Sequence, residues 1–151
     1  MPLLAGKNYD PATAVTASCA TLIAMTALDT TNLRLSFTVP ASGTVMVRLK
    51  GTIHGATTMP QVLLGVLQGS TVMGRQAPPA ALAGTAVATT FVPVEACFLV
   101  TGLTPGASLT WDAAYSVETI VASTGIKYGG PNNTTANDAF GGFCFEIWQV
   151  T

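Results

Sequence analysis

The sequence predicts an all-β fold, a sandwich or barrel of about eight short antiparallel strands. From Asn32 onward, apolar and polar residues alternate with a period of two, which is typical of half-buried strands. Segments rich in Pro and Gly separate the alternating runs, as turns between strands require. No segment has a clear helical periodicity. Because the 151 residues form one composition block without an internal repeat, we expect one domain, residues 18–151, preceded by an extended N-terminal arm, residues 1–17.

Charged side chains are scarce in this chain. Six basic and seven acidic residues make up 9% of it, whereas an average soluble domain is about 25% charged. Neutral polar side chains or neighbouring subunits must therefore cover the surface. A net charge of −1 provides no electrostatic attraction for nucleic acid or an anionic membrane. A mean hydropathy of +0.50 excludes disorder, and no apolar run reaches the roughly 18 residues of a membrane span. Composition thus predicts a neutral, β-rich, oligomeric domain.

Residues 1–30 lack clean alternation and allow two interpretations. A helix could begin with Asp10 as N-cap and Pro11 in its first turn. However, Thr, Val and Ser recur after Pro11, and each is a mediocre helix former. We therefore expect the extended arm to continue to residue 17, followed by a short strand over residues 19–24.

Two neighbouring antiparallel strands are predicted over residues 32–39 and 44–54. Both alternate with a period of two, and residues 40–43 supply Pro and Gly for the turn between them. His54 lies on the polar face of the second strand, so we expect it to be a solvated histidine at the strand end. The next run, residues 61–69, is apolar on both faces. This predicts a strand covered on both sides, with another subunit as one candidate cover.

Three further strands are predicted in the second half of the chain. Residues 89–100 alternate, and Pro93 places that end at a sheet edge or a bulge because proline cannot donate a ladder hydrogen bond. Residues 109–118 form the longest clean strand, with Asp112 on its polar face. Residues 143–150 carry large aromatic side chains on both faces, which predicts a central strand.

No catalytic, cofactor or metal site is predicted. His54 is the only histidine, so every histidine-dependent triad would need it, and one His with scattered Cys provides no metal-ligand spacing. Asp112 and Glu118 share one strand face but lie roughly 20 Å apart, whereas a glycosidase pair needs about 5–9.5 Å. No phosphate-binding glycine motif occurs. We therefore expect a protein that is not an enzyme and binds no cofactor.

The large aromatic side chains have two possible uses, the core of the sandwich or a contact with a partner. Trp and Tyr are enriched at protein interfaces, and the shortage of charge favours this use for some of them. We predict a subunit interface through Val62, Leu64, Trp111 and Trp148.

Four long stretches resemble a family of small structural proteins from tailed bacteriophages of actinobacteria. They are ALDTTNLRLSFTVPASGTVMVRL (27–49), HGATTMPQVLLGVLQG (54–69), FLVTGLTPGASLTWDAAYSV (98–117) and KYGGPNNTTANDAFGGFCFEIWQV (127–150). The resemblance covers most of the chain from about residue 27 and contains no catalytic signature. It implies a virion component with a jelly-roll-like β-sandwich, usually trimeric, of the minor capsid, head decoration or minor tail type.

From this resemblance we expect a head decoration protein, a homotrimer that binds the major capsid protein on the outer head lattice and stabilises the shell. The N-terminal arm would hold the capsid, with Pro2, Leu3, Leu4 and Tyr9 as attachment residues. The protein would reside in the virion after assembly in the bacterial cytoplasm. It would have no nucleic-acid or membrane partner.

The alternative is a tail-associated minor tail or receptor-binding module. Residues 74–86 and 123–142 are rich in Gly, Pro, Ala and Asn and predict surface loops. In this alternative the same trimer displays both loops to a glycan or protein on the host surface.

Overall fold

The computed structural model describes residues 1–13, 15–17, 25–54, 58–59, 62–76, 84–85, 91–117, 126–130 and 141–151. These residues form thirteen β-strands, and none of them lies in a helix that could cross a membrane. In chain order the strands are β1 (Leu3–Tyr9), β2 (Val15–Ala17), β3 (Thr26–Ala27), β4 (Arg34–Thr38), β5 (Val45–His54), β6 (Thr58–Met59), β7 (Val62–Gln68), β8 (Thr71–Arg75), β9 (Gly84–Thr85), β10 (Phe91–Val100), β11 (Ser108–Val117), β12 (Ile126–Tyr128) and β13 (Phe143–Gln149). Eight of the described strands are five residues or longer.

The strands form two antiparallel sheets that enclose one core, so the predicted all-β sandwich is confirmed. In the first, called sheet A, β5 is central, with β10 along one side. Strands β13 and β12 follow one another along its other side, and β1 and β2 lie outside them. In the second, called sheet B, β11 pairs with β3 and β4 on one side and with β7 on the other, and β8 pairs with β7. Because β4 lies in sheet B and β5 in sheet A, the prediction that these two strands are antiparallel neighbours is wrong. Strands β6 and β9 form a separate ribbon.

The core contains the inward-facing side chains of both sheets. Alternate positions of β5 and β13 supply it from sheet A, and those of β4, β7 and β11 supply it from sheet B. Phe37 packs edge-to-face on Trp111 with ring centroids 4.8 Å apart, and Tyr128 packs in the same way on Phe143 at 5.3 Å. The strong alternation in the sequence therefore translates directly into one buried layer between the sheets.

From Trp111 onward, strand β11 is buried on both faces, which corrects the prediction of a polar face. Residues 111–117 are all buried, and Asp112 is only 3% exposed. Its carboxylate accepts hydrogen bonds from Arg34 Nε at 2.7 Å and from Nη2 at 2.9 Å. The two residues are directly opposite in the β4–β11 ladder, so the guanidinium neutralises the carboxylate where it is buried. Strand β7 is buried from Val62 to Leu67, as its two apolar faces predict.

His54 is buried, so the prediction of a solvated strand-end histidine is wrong. The residue is 1% exposed, and its Nε2 donates a hydrogen bond to the carbonyl oxygen of Gly129 at 2.8 Å. Strand β12 pairs with the end of β5, with Lys127 opposite His54, and the turn after β12 lies against the ring. The alternation could not show this cover because it comes from a segment more than seventy residues away.

Both predicted loops contain strand residues, which is a further correction. Gly74 and Arg75 end β8, and Gly84 and Thr85 form β9. Strand β12 lies within the segment predicted as a long loop at 123–142. The remainder of both segments, apart from Gln76, residues 129–130 and residues 141–142, lies outside the described residues, as do the strand predicted at 19–24 and Glu118.

The N-terminal segment is extended, and its first strand belongs to the sandwich. Strand β1 pairs with β13 along its length, and the Pro2 carbonyl accepts a hydrogen bond from the Gln149 amide at 2.9 Å. Leu4 and Tyr9 pack against the core. Residues 15–17 form a strand, which excludes the helix considered for that part of the segment.

Candidate interaction surface

The outer face of sheet A is the side of β1, β13, β5 and β10 that points away from the core. Antiparallel pairing sets residues directly opposite one another on the same face, so the side chains form rows across the four strands. Inner positions of β5 and β13 are buried, whereas the outer positions between them are partly or fully exposed. Each row therefore combines residues that are far apart in the sequence.

One row of the outer face is apolar from end to end. Leu3 lies opposite Trp148, Trp148 opposite Met46, and Met46 opposite Leu99. Leu3 is 49% exposed and Leu99 is 59% exposed, and they are two of the four large apolar residues that are clearly exposed among the described residues. Gly6 leaves room for Leu3, since a Cβ at that glycine would lie 3.3 Å from a Leu3 methyl group. We call Leu3, Trp148, Met46 and Leu99 the apolar row.

A network of charges lies beside the apolar row. Arg48 Nε donates to Glu95 Oε1 at 3.1 Å, and its Nη1 lies 4.0 Å from Glu146 Oε2. Glu146 Oε2 also accepts a hydrogen bond from the Trp148 indole at 3.0 Å. With Lys50 in the next row, the outer face carries two positive and two negative side chains. Arg48 is paired with Glu95 and Glu146, and the four formal charges sum to zero, so the outer face has no net charge to repel another protein surface.

Cys144 lies on the same face and is a poor nucleophile. Burial, the hydrogen bond from Sγ to Glu146 Oε1 at 3.4 Å and the charge of Glu146 together raise the pKa of its thiol to about 11. The thiol therefore remains protonated at neutral pH. Beyond it, a shallow concavity of about 400 Å³ is bordered by Asn8, Asp10, Lys50 and Thr52.

The predicted subunit-interface residues separate into two groups. Val62, Leu64 and Trp111 are each 0% exposed within the single chain, so the prediction that they contact another subunit is corrected. They face the opposite sheet because the two sheets pack on this side of β7 and β11. Trp148 lies on the outer face and is partly exposed.

Among the predicted attachment residues, Leu3 is the one that presents a large exposed apolar side chain. Leu4 and Tyr9 contact the core, and the Pro2 backbone is bonded to β13. Sequence reasoning missed Met46 and Leu99. Their membership of the apolar row depends on the register between strands, which alternation within a strand does not contain.

No metal-binding group was found among the described residues, where no three His, Cys, Asp or Glu side chains come together. His54 bonds a backbone carbonyl, and Asp112 bonds Arg34. The arrangement that the described residues do offer is a sheet face on which one apolar row lies beside charges of both signs. Neither a protein-family model nor a curated protein sequence matches the chain.

Proposed function

We propose that this protein is a structural subunit of a bacteriophage virion, a decoration protein that binds the outer surface of the head and stabilises it. The apolar row on the outer face of sheet A is the observation that carries the proposal. The resemblance to phage structural proteins supports the identity of the partner, the major capsid protein.

The apolar row supports a docking role because its burial by a partner is favourable and the neighbouring charged side chains do not repel that partner. Burying one side chain such as Leu or Met completely contributes about 1.5–3 kcal/mol. Arg48 contacts both Glu95 and Glu146, and Lys50 brings the formal charge of this face to zero, so a neutral partner that covers the apolar row beside them meets no net charge. A protein surface that covers Leu3 and Leu99 would therefore gain apolar contact without a large electrostatic cost.

The size of the face favours an oligomer that binds through several copies of it, and the resemblance to phage structural proteins implies a homotrimer. Four strands about 4.8 Å apart and about seven residues long cover roughly 450 Å². A stable interface buries about 800 Å² on each partner, so one face alone binds weakly. Three faces on one trimer bind together, and the effective concentration of the second and third contacts raises the overall affinity.

The proposed action is mechanical. Each bound trimer bridges adjacent capsid subunits and adds buried apolar surface that must be separated before the shell can rupture. The scarcity of charge fits this role, since thirteen formal charges are spread over 7220 Å² of accessible surface. Such a surface is suited to contact with protein.

The test is binding of the purified protein to heads that lack it, measured as occupancy by cryo-electron microscopy and by co-sedimentation. Leu3→Asp should reduce the apparent affinity about tenfold or more, since a loss of about 1.4 kcal/mol corresponds to tenfold. Val72→Asp is the matched control, because Val72 is 40% exposed on β8 of sheet B and outside the apolar row. Its occupancy should equal that of the native protein.

Equal occupancy of the Leu3→Asp and native proteins would contradict a docking role for the apolar row. Density at the tail tip alone, with none on the head, would overturn the decoration proposal and favour the tail-associated module. A monomeric mass by light scattering at micromolar concentration would contradict the trimer.

A further inference from the structure

Strand β10 is a long edge strand. It contains ten residues, Phe91–Val100, and all ten have partners in β5 on one side. Within the part of the chain that the structure describes, no strand pairs with its other side. An edge of this length presents a row of backbone donors and acceptors that can pair with another chain.

The backbone of β5 shows which groups of β10 point to the open edge. The Thr52 amide donates to the Gly142 carbonyl oxygen, so even-numbered residues of β5 bond towards β13 and odd-numbered residues bond towards β10. Their partners in β10 are the even-numbered residues, such as Val94 opposite Gly51 and Ala96 opposite Leu49. The odd-numbered residues of β10 therefore direct their N–H and C=O groups to the open edge.

Two features agree with this assignment. Pro93 is an odd-numbered residue, so the N–H that proline lacks would have pointed to the open edge. The ladder with β5 therefore loses no hydrogen bond. The side chains at the odd-numbered positions 93, 95, 97 and 99 are exposed, so the same residues carry the open backbone groups and the outward side chains.

The edge lacks most features that normally prevent pairing between chains. No Lys or Arg occurs in Phe91–Val100, and the one acidic side chain, Glu95, is bonded by Arg48. Leu99 is 59% exposed and Cys97 is exposed. Charged edges and inward-pointing charges are the usual protection, and this edge has Pro93 alone.

We propose that β10 pairs antiparallel with β10 of a second copy of this chain about a two-fold axis, continuing sheet A across both molecules. The two-fold axis sets one residue of β10 opposite its own copy, and charge and strand length favour Cys97 over its edge-facing neighbours Glu95 and Leu99. Centring the pair on Glu95 would set two carboxylates directly opposite each other, which is unfavourable. Centring it on Leu99 would pair β10 with the turn that follows it, residues 101–106. Centring it on Cys97 sets each Glu95 opposite the partner's Leu99.

In this register three residue pairs face each other across the two strands: Glu95 with the partner's Leu99, Cys97 with the partner's Cys97, and Leu99 with the partner's Glu95. Each pair forms two backbone hydrogen bonds, about six in total. In the Cys97 pair the Cα atoms lie about 5.5 Å apart, within the roughly 4.4–6.8 Å that a disulfide spans. The native cysteine is therefore a reporter of the contact and of its register.

The inference does not rest on the proposed function. It concerns the backbone edge of β10, whereas the capsid-binding test alters Leu3 on β1, at the other side of sheet A. A contact about a two-fold axis can join two trimers or form a dimer by itself, and it is detected without capsids.

The first experiment is oxidation of a Cys19→Ser/Cys144→Ser variant by diamide at micromolar protein. Two Cys97 thiols lose two protons and two electrons to diamide, which becomes the hydrazine, and the disulfide forms between chains. We expect a covalent dimer on a non-reducing gel. The matched control carries Leu99→Cys and Cys97→Ser in the same background, so the Glu95 carboxylate is retained. In the proposed register its two cysteines lie about 14 Å apart, so little dimer should form. Equal crosslinking at both positions would overturn the register, and no crosslinking at Cys97 would overturn the contact.

The second experiment compares two proline variants by light scattering and thermal unfolding. Cys97→Pro removes an N–H that points to the open edge, so the ladder with β5 is retained and the two-fold contact is lost. Ala96→Pro removes an N–H bonded to β5, so it should lower Tm clearly more. If folded Cys97→Pro keeps the oligomeric mass of the native protein in light scattering, the proposal is overturned. If Cys97→Pro fails to fold, Leu99→Lys provides the same test, because a charged edge disfavours pairing and the backbone is unchanged.

Discussion

Removal of Arg34 tests whether the buried Asp112 depends on its ion pair. The Asp112 side chain is 4% exposed, whereas the Arg34 side chain is 46% exposed. Two charge-assisted hydrogen bonds of 2.7 and 2.9 Å join them. Removing one partner of a fully buried pair costs about 3–5 kcal/mol, because the remaining charge loses its compensation.

We expect Arg34→Ala to lower the free energy of unfolding by about 2–3 kcal/mol, below that range because water can enter the space that the exposed Arg34 leaves. For a domain of this size the corresponding fall in Tm is about 4–12 °C. Urea unfolding followed by tryptophan fluorescence measures it. Trp111 is completely buried next to Asp112 and reports loss of the core.

The control is the double variant Arg34→Met/Asp112→Leu, which replaces the ion pair by two apolar side chains. Replacement of both charges avoids an uncompensated carboxylate, so its stability should lie within about 1 kcal/mol of the native protein. A loss below about 0.5 kcal/mol in Arg34→Ala, the size of an ordinary surface substitution, would refute the reasoning. An equal loss in the single and double variants would also refute it.

Two further predictions concern buried polar groups. Because the pKa of Cys144 is raised to about 11, its alkylation by iodoacetamide should be slow at neutral pH and rise as the pH approaches 11. Glu146→Gln should move this profile to lower pH, and a native midpoint near the free-cysteine value of about 8.5 would contradict the expectation. Tyr128→Phe removes the hydrogen bond from the buried hydroxyl to the Leu28 carbonyl oxygen at 3.2 Å, and it should cost about 1–2 kcal/mol in urea unfolding. Unchanged stability would show that this bond contributes nothing.

The sequence predicts the strands and their inner faces well, because alternation is a local property. Leu35 and Phe37 in β4, and Val45 and Val47 in β5, alternate with more polar neighbours and are buried as expected. The two apolar faces of β7 likewise predict its complete burial from Val62 to Leu67. In each case the pattern reports how a strand divides its own side chains between two faces.

The candidate site is predicted less completely. Leu3 and Trp148 were identified as contact residues, and both lie in the apolar row. Met46 and Leu99 were not, because each is a single apolar residue on a mixed strand face. They become part of the apolar row only because they lie beside Trp148. The pairing of β10, β5 and β13 in one register places them there.

The errors have the same physical origin. Trp111 could fill a core or an interface, since both remove it from water, and only the position of the opposite sheet decides between them. Asp112 and His54 occupy polar positions in their strands, yet Arg34 and the turn at Gly129 cover them. Such partners lie far away along the chain, so no local pattern contains them.

The sequence by itself determined the all-β class, the alternating strands, the shortage of charge and the turn at residues 40–43. These follow from side-chain periodicity and from the backbone preferences of Pro and Gly, which act over a few residues. The tertiary structure decided which strands are neighbours, and therefore which face is buried, which charges are paired and which apolar side chains form a continuous row. Pairing between distant strands determines these features, because a side chain's neighbours across a sheet belong to other parts of the chain.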